Sequence, residues 1–96
     1  MKKVTLLNQS FQVHDRLDQF NVNIAQSSSV SFFGSNPQTG SMFVQFKNGG
    51  TYIYSGVTPE VRKEMHAATS IGSFISKKLV KKFPSEKLDG KGIITS

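Results

Sequence analysis

The sequence contains no cysteine, and this absence excludes a disulfide framework and every zinc or iron–sulfur site with thiolate ligands. Tryptophan is also absent, and no apolar run approaches membrane-spanning length. Met1-Lys2-Lys3 is like the start of a signal peptide, but the apolar stretch after it is too short for one. We therefore expect a protein of a reducing cytoplasm, or of the host cytoplasm if the source is viral, with no membrane partner.

Acidic residues are few. Six Asp and Glu stand against twelve Lys and Arg, which gives a net charge of +6 and an isoelectric point near 9.9. A positive field of this size attracts polyanions, but positive charge also keeps a small domain soluble. Charge alone leaves both interpretations open.

The apolar content suffices for one hydrophobic core. Of the 96 residues 36% are hydrophobic, and eight are Phe. A chain of this length forms one domain and buries about two-thirds of its unfolded surface. We expect a folded protein of modest stability, which oligomerisation would increase.

Short apolar segments in the first third predict strands at residues 4–7, 11–13, 20–24 and 30–33, with a turn at 8–10 and a turn or single helical turn at 14–18. A cluster of turn residues follows at 34–40. The clearest local signal is a β-hairpin over residues 42–54, because Asn48-Gly49 supplies the positive φ of a tight turn between two aromatic and β-branched segments.

The register of this hairpin decides the role of two tyrosines. With a two-residue turn, Tyr52 and Tyr54 lie opposite the face of Val44 and could form a stacking platform. With residues 48–50 all in the loop, both tyrosines share the face of Val44 and belong to the core. Both registers remain open at this point.

Two helices are predicted after the hairpin. Thr58 is a suitable N-cap with Pro59 at the first helical position, and apolar spacing carries this helix to residue 69. A second helix spans about 71–83 and ends before Pro84. The fold class is therefore α+β, a small antiparallel sheet packed by two helices. Residues 84–96 are interpreted as a tail whose Leu88, Ile93 and Ile94 could dock.

Residues 27–83 resemble the KTSC domain family. The similarity is carried by residues 46–49 leading into Tyr52-Ile53-Tyr54, then by Val57 and Pro59, and finally by residues 68–74. This family occurs at the C-terminus of some lysyl-tRNA synthetases and as free-standing bacterial and phage proteins. The resemblance implies the α+β fold and suggests RNA binding. Residues 1–26 lie outside the family pattern and are expected to add strands, with a possible interface.

Catalysis has little support in the sequence. His14 and His66 have no metal-ligand or triad spacing, the six acids form no recognisable pair, and the glycines match neither a P-loop nor a dinucleotide motif. We expect a non-enzyme without cofactor or metal.

The predicted second helix carries the strongest anion-binding signal. Its N-terminal turn offers backbone amides and hydroxyls, and its lysines share one arc with Phe74. A simple cap and a solvated lysine face are the alternatives. The candidate ligand-binding residues are Ser70, Gly72, Ser73, Phe74, Lys77, Lys78, Lys81, Lys82, Tyr52 and Tyr54.

Three functions fit these features. The first is a module that binds RNA or another nucleic acid. The second is a phage-type homo-oligomer that sequesters a nucleotide-derived signalling molecule at the turn of residues 70–73. The third is a protein-interaction or inhibitor module whose basic face meets an acidic partner.

Overall fold

The computed structural model describes residues 2–80, 82–88 and 92–95, which form eight strands, two α-helices and one 3₁₀ turn. The strands are β1 (Lys2–Leu6), β2 (Gln9–Val13), β3 (Asn23–Ile24), β4 (Val30–Asn36), β5 (Ser41–Phe46), β6 (Thr51–Tyr54), β7 (Ser85–Lys87) and β8 (Ile93–Thr95). The helices are α1 (Pro59–His66) and α2 (Ile71–Lys78), and the 3₁₀ turn spans Asp15–Leu17. The α+β class is confirmed.

The central sheet has five antiparallel strands in the order β3-β4-β5-β6-β7. Its β5–β6 hairpin is the one predicted from the sequence, and its register settles the position of the tyrosines. Val44 pairs with Tyr52 and Met42 with Tyr54, so both tyrosines share a face with these core residues. Gly49, with φ of 97°, supplies the left-handed conformation that the turn requires.

One face of the central sheet packs against α1 and α2. The buried residues between them form the helix-side core: Ala25, Val30, Phe33, Met42, Val44, Tyr54, Val57, Met65, Ile71, Ile75 and Leu79. Thr58 caps α1 as predicted, accepting a hydrogen bond at Oγ1 from the backbone N–H of Val61 at 3.3 Å.

Both helices are shorter than predicted. α1 ends at His66, three residues before the predicted end at 69, and α2 ends at Lys78, five residues before the predicted end at 83. α1 stops because Ser70, in an extended conformation, begins the next helix. α2 stops because the Val80 N–H donates to the Ile75 carbonyl and the chain turns to bring β7 beside β6. The apolar spacing at 79–83 reflects packing of this turn rather than a continuing helix.

A second sheet, β1-β2-β8, covers the other face of the central sheet. The buried residues between the sheets form the strand-side core: Phe11, Val13, Leu17, Phe20, Phe43, Ile53, Leu88 and Ile93.

The predicted boundaries of the first two strands are partly wrong. Leu7 and Asn8 form the tight turn of the N-terminal hairpin with φ of 50° and 63°, whereas Gln9 already belongs to β2.

The segment predicted as a C-terminal tail is part of both sheets. β7 pairs with β6, and β8 pairs with β2. Leu88 and Ile93 are buried, while Ile94 is 41% exposed. The interpretation of this segment as a tail is therefore wrong, whereas docking is confirmed for Leu88 and Ile93, which complete the strand-side core.

Candidate functional site

The first turn of α2 is fixed by a cap and by two isoleucines. The Ser73 N–H donates to Ser70 Oγ at 3.4 Å, and Ile71 and Ile75 point into the helix-side core. This orientation leaves Ser73 and Lys77 exposed on the opposite side. The cap that was the alternative interpretation of this turn is thus present at Ser70, together with a polar helix face.

A loop of three serines, residues 27–29, lies against this turn and is called the serine loop. Ser27 Oγ accepts from the N–H groups of Ser29 at 3.2 Å and Val30 at 3.3 Å, which makes the loop compact. The Ser29 carbonyl accepts from the Lys47 N–H at 2.8 Å, which ties the loop to the tip of the β5–β6 hairpin.

Gly72 allows helix and loop to meet closely. A Cβ atom at this position would lie 2.7 Å from Ser29 Oγ and 3.3 Å from Ser27 Oγ. Between the two elements is a cavity of about 460 Å³, called the serine cavity. Its lining residues are Gln26, Ser27, Ser28, Ser29, Thr69, Ser70, Gly72, Ser73, Ser76 and Lys77.

The serine cavity is rich in hydroxyl groups, and among its described lining residues Lys77 is the cationic one. Serine and threonine hydroxyls both donate and accept hydrogen bonds, and Lys77 supplies an ammonium group. The N-terminus of α2 adds partial positive charge from aligned peptide dipoles. This combination suits a small anionic group such as a phosphate.

A shallower cavity of about 320 Å³ adjoins the serine cavity and shares Ser70, Ser73 and Lys77 with it. Phe74 and Lys78 also line this second cavity. Phe74 is half-buried and packs against the helix-side core, so only part of its ring faces the cavity.

The lysines do not form the single helical arc that the sequence predicts. Lys77 and Lys78 lie in the last turn of α2, whereas Lys82 is exposed in the turn after the helix. Lys81 lies outside the described residues. The prediction of one four-lysine arc on the helix is wrong, because α2 ends at Lys78.

The two tyrosines have different positions. Tyr54 is 4% exposed within the helix-side core, and burial raises the pKa of its hydroxyl. Tyr52 is half-buried and lines another cavity with Phe46. The structure thus brings Ser70, Gly72, Ser73 and Lys77 together and leaves both tyrosines outside that group.

Sequence reasoning missed the serines of residues 27–29 and Ser76. The run of three serines predicts a loop and nothing more. Gly72 is the residue whose presence in the sequence could have indicated this contact, because a glycine in the first turn of a helix is typical of a place where another element approaches closely. Which element approaches depends on the tertiary fold.

The histidines lie apart from the serine cavity. His14 Nδ1 accepts from the Arg16 N–H at 3.0 Å, and the His66 ring contacts Phe33 with centroids 5.6 Å apart. Within residues 2–80, 82–88 and 92–95, no three His, Asp or Glu side chains are grouped to hold a metal ion.

In the same part of the chain, no helix has the length and apolar character needed to cross a membrane.

Comparisons with known proteins agree with this fold. A family model described as the KTSC domain matches residues 26–83. A curated protein from Tsukamurella paurometabola is 35% identical over 51 residues, covering 53% of this chain and 76% of its own length. The crystal structure of a KTSC domain protein from Yersinia pestis superposes with a TM-score of 0.69 at 27% identity, over 73% of this chain and 99% of that one.

The chain belongs to the KTSC domain family, as its sequence predicts. Residues outside the match, 1–25 and 84–96, supply β1, β2 and β3 at one end and β7 and β8 at the other.

Proposed function

We propose that this KTSC domain is a non-enzymatic module that binds RNA, with the phosphate backbone held at the serine cavity. One observation carries the proposal. The N-terminal turn of α2, the serine loop and Lys77 converge on one polar cavity. The net charge of +6 supports a polyanionic ligand, because phosphate binding would release condensed counterions.

Each part of the cavity would contribute a different interaction. Serine hydroxyls would donate hydrogen bonds to phosphate oxygens, and the dipole of α2 would favour negative charge at its start. Lys77 would act as a point charge beside them. Phe74 and Lys78 in the adjoining cavity would meet the neighbouring base or phosphate of the same strand.

The test uses Gly72→Ala, a change confined to the cavity wall. The added methyl would lie 2.7 Å from Ser29 Oγ and would displace this hydroxyl from its position in the cavity wall. Alanine also favours a helix over glycine by about 1 kcal/mol, so the fold should survive. We expect at least a tenfold loss of affinity for a fluorescein-labelled RNA of about 12 nucleotides, measured by fluorescence anisotropy.

Ser73→Ala serves as a second variant, and Ser55→Ala, an exposed serine outside the cavity, is its matched control. The proposal predicts weaker binding for Ser73→Ala and parental binding for Ser55→Ala. If Gly72→Ala and Ser73→Ala both bind RNA as the parent does, RNA does not use this cavity and the proposal is wrong.

A second candidate function is sequestration of a nucleotide signal. The observation in its favour is the cavity volume of about 460 Å³, which falls in the range of about 300–1,000 Å³ usual for small-ligand sites. This function predicts a stoichiometric nucleotide complex that tolerates salt, held by an oligomer. Native mass spectrometry of protein purified from its own host reports oligomer and bound nucleotide together, and so distinguishes it from RNA binding.

A further inference from the structure

A different cavity lies at the tip of the β5–β6 hairpin, next to β7. It has a volume of about 500 Å³ and is called the hairpin cavity. Its lining residues are Phe46, Asn48, Gly50, Tyr52 and Lys87. None of them lines the serine cavity.

Two aromatic rings form the apolar part of the hairpin cavity. The Phe46 and Tyr52 rings meet edge to face, with centroids 5.9 Å apart and planes at 74°. Both are half-buried and pack on one side against the helix-side core. The core therefore holds the rings in place while part of each remains accessible to a ligand.

Polar groups surround these rings. Lys87 pairs with Tyr52 across β6 and β7, and its Nζ lies over the face of the Tyr52 ring, 6.0 Å from the centroid. Asn48 Oδ1 accepts from the Gly50 N–H at 2.9 Å, which orients an amide whose Nδ2 is a donor. Because Gly50 has no side chain, the Tyr52 edge stays open; a Cβ there would lie 3.5 Å from Cε1 of that ring.

The hairpin and the serine loop are joined through the backbone. Lys47 lies between Phe46 and Asn48, and its N–H donates to the carbonyl of Ser29 in the serine loop. Its side chain is exposed. The bond between Lys47 and Ser29 holds the serine loop beside the hairpin, so a strand with regularly spaced phosphates and bases can contact both cavities.

We infer that the hairpin cavity is a base-stacking subsite for single-stranded RNA. A base stacks on the Tyr52 ring in place of the exposed Lys87 ammonium, which moves aside to meet a phosphate of that nucleotide, and a neighbouring phosphate occupies the serine cavity. This inference rests on the proposed function and adds the ligand class: an unpaired strand rather than a duplex or a free nucleotide. Stacking is tolerant of sequence, because every base has a π-face.

The experiment measures affinity for labelled single-stranded RNA in Tyr52→Leu, Tyr52→Phe and Lys87→Gln. Base–aromatic stacking contributes about 1–3 kcal/mol, so Tyr52→Leu should weaken binding by about 5-fold to 150-fold. Tyr52→Phe keeps the ring and should bind nearly as the parent does. Lys63→Gln, an exposed lysine of α1 that lines neither cavity, controls for loss of one charge.

Lys87→Gln keeps the test valid if Tyr52→Leu fails to fold, because Lys87 is exposed on β7. It should weaken RNA binding more than Lys63→Gln does. As a second readout, inorganic phosphate binding should be unchanged in Tyr52→Leu and lost in Gly72→Ala.

The outcomes separate this inference from the proposed function. If Tyr52→Leu folds and binds RNA like the parent, and Lys87→Gln matches Lys63→Gln, the stacking subsite is refuted. Loss of RNA binding in Gly72→Ala would then still support the serine cavity. If the parent binds neither RNA nor phosphate, both ideas are refuted.

Discussion

The side chain of Gln45 pairs with the backbone of Ile93 as a neighbouring strand would. Gln45 Nε2 donates to the Ile93 carbonyl at 3.0 Å, and Gln45 Oε1 accepts from the Ile93 N–H at 2.7 Å. Gln45 is 5% exposed, so both bonds are shielded from water. One buried amide thereby joins the central sheet to β8 of the second sheet.

Replacing this amide should destabilise the fold. Gln45→Leu leaves the N–H and carbonyl of Ile93 buried without these bonds, and each unsatisfied group costs about 1–3 kcal/mol. We expect a loss of about 2–5 kcal/mol in the free energy of unfolding, measured by urea titration. Gln19→Leu, at an exposed glutamine, is the control and should change stability by less than about 0.5 kcal/mol. Equal stabilities for the two variants would contradict the role of Gln45.

Gly34 should tolerate no side chain. A Cβ there would overlap the backbone carbonyl oxygen of Asn21 and lie 2.7 Å from Phe43 Cε1. Since the Asn21 N–H is bonded to the Ser35 carbonyl, the Asn21 backbone cannot easily move away. We expect Gly34→Ala to cost at least about 3 kcal/mol.

Gly56→Ala is the comparison for this variant. Gly56 has φ of 69°, and a Cβ added there would meet no atom within 4 Å, so only backbone strain of about 1–2 kcal/mol should result. Thermal unfolding followed by circular dichroism ranks the two. A Gly34→Ala protein as stable as Gly56→Ala would show that the chain at Asn21 is not held as described.

The parts of the fold that depend on local signals could be predicted from the sequence. Asn48-Gly49 predicts the hairpin turn, and Thr58-Pro59 predicts the start of α1; both are confirmed. The packing of helices on a sheet that contains this hairpin follows from the change of apolar period after it. Local chemistry determines these features, so no tertiary information was needed.

Features set by long-range pairing could not be predicted. β8 is three residues long, and its position depends on Gln45, which is 48 residues away in sequence. The early end of α2 likewise depends on the return of the chain to β6. At the candidate site, Ser70 and Gly72 were identified because they lie in one turn, whereas Ser27 and Ser29 join them only through the fold.

Alkaline pH should destabilise the protein partly through Tyr54. Burial raises its pKa in the folded state above the ordinary value of 10.0. The folded state therefore retains its proton after the unfolded state has lost its own, so this contribution is fully present below pH 10 and is lost as pH rises through the folded pKa. Urea unfolding between about pH 9 and about pH 12 should show a shallower decline for Tyr54→Phe than for the parent. Parallel declines would contradict this assignment.

The salt dependence of RNA binding should report how many lysines contact phosphates. Each phosphate contact to a single strand contributes about 0.7 to the slope of log affinity against log salt concentration. Lys77 lines the serine cavity and Lys78 the adjoining one, whereas Lys63 lines neither. Lys77→Gln should therefore reduce the slope by about 0.7, and the Lys77→Gln/Lys78→Gln double variant by about 1.4.

Lys63→Gln has the same net charge as Lys77→Gln and should leave the slope unchanged, because a contact, rather than overall charge, sets the number of counterions released. Lys82→Gln tests the turn after α2, where the lysine is exposed but no longer on the helix. We expect a smaller change in slope than for Lys77→Gln. Anisotropy titrations from about 50 mM to about 200 mM salt measure the slopes of the parent and of the four variants. Identical slopes for Lys63→Gln and Lys77→Gln would mean that RNA responds only to the general positive field and that Lys77 makes no phosphate contact.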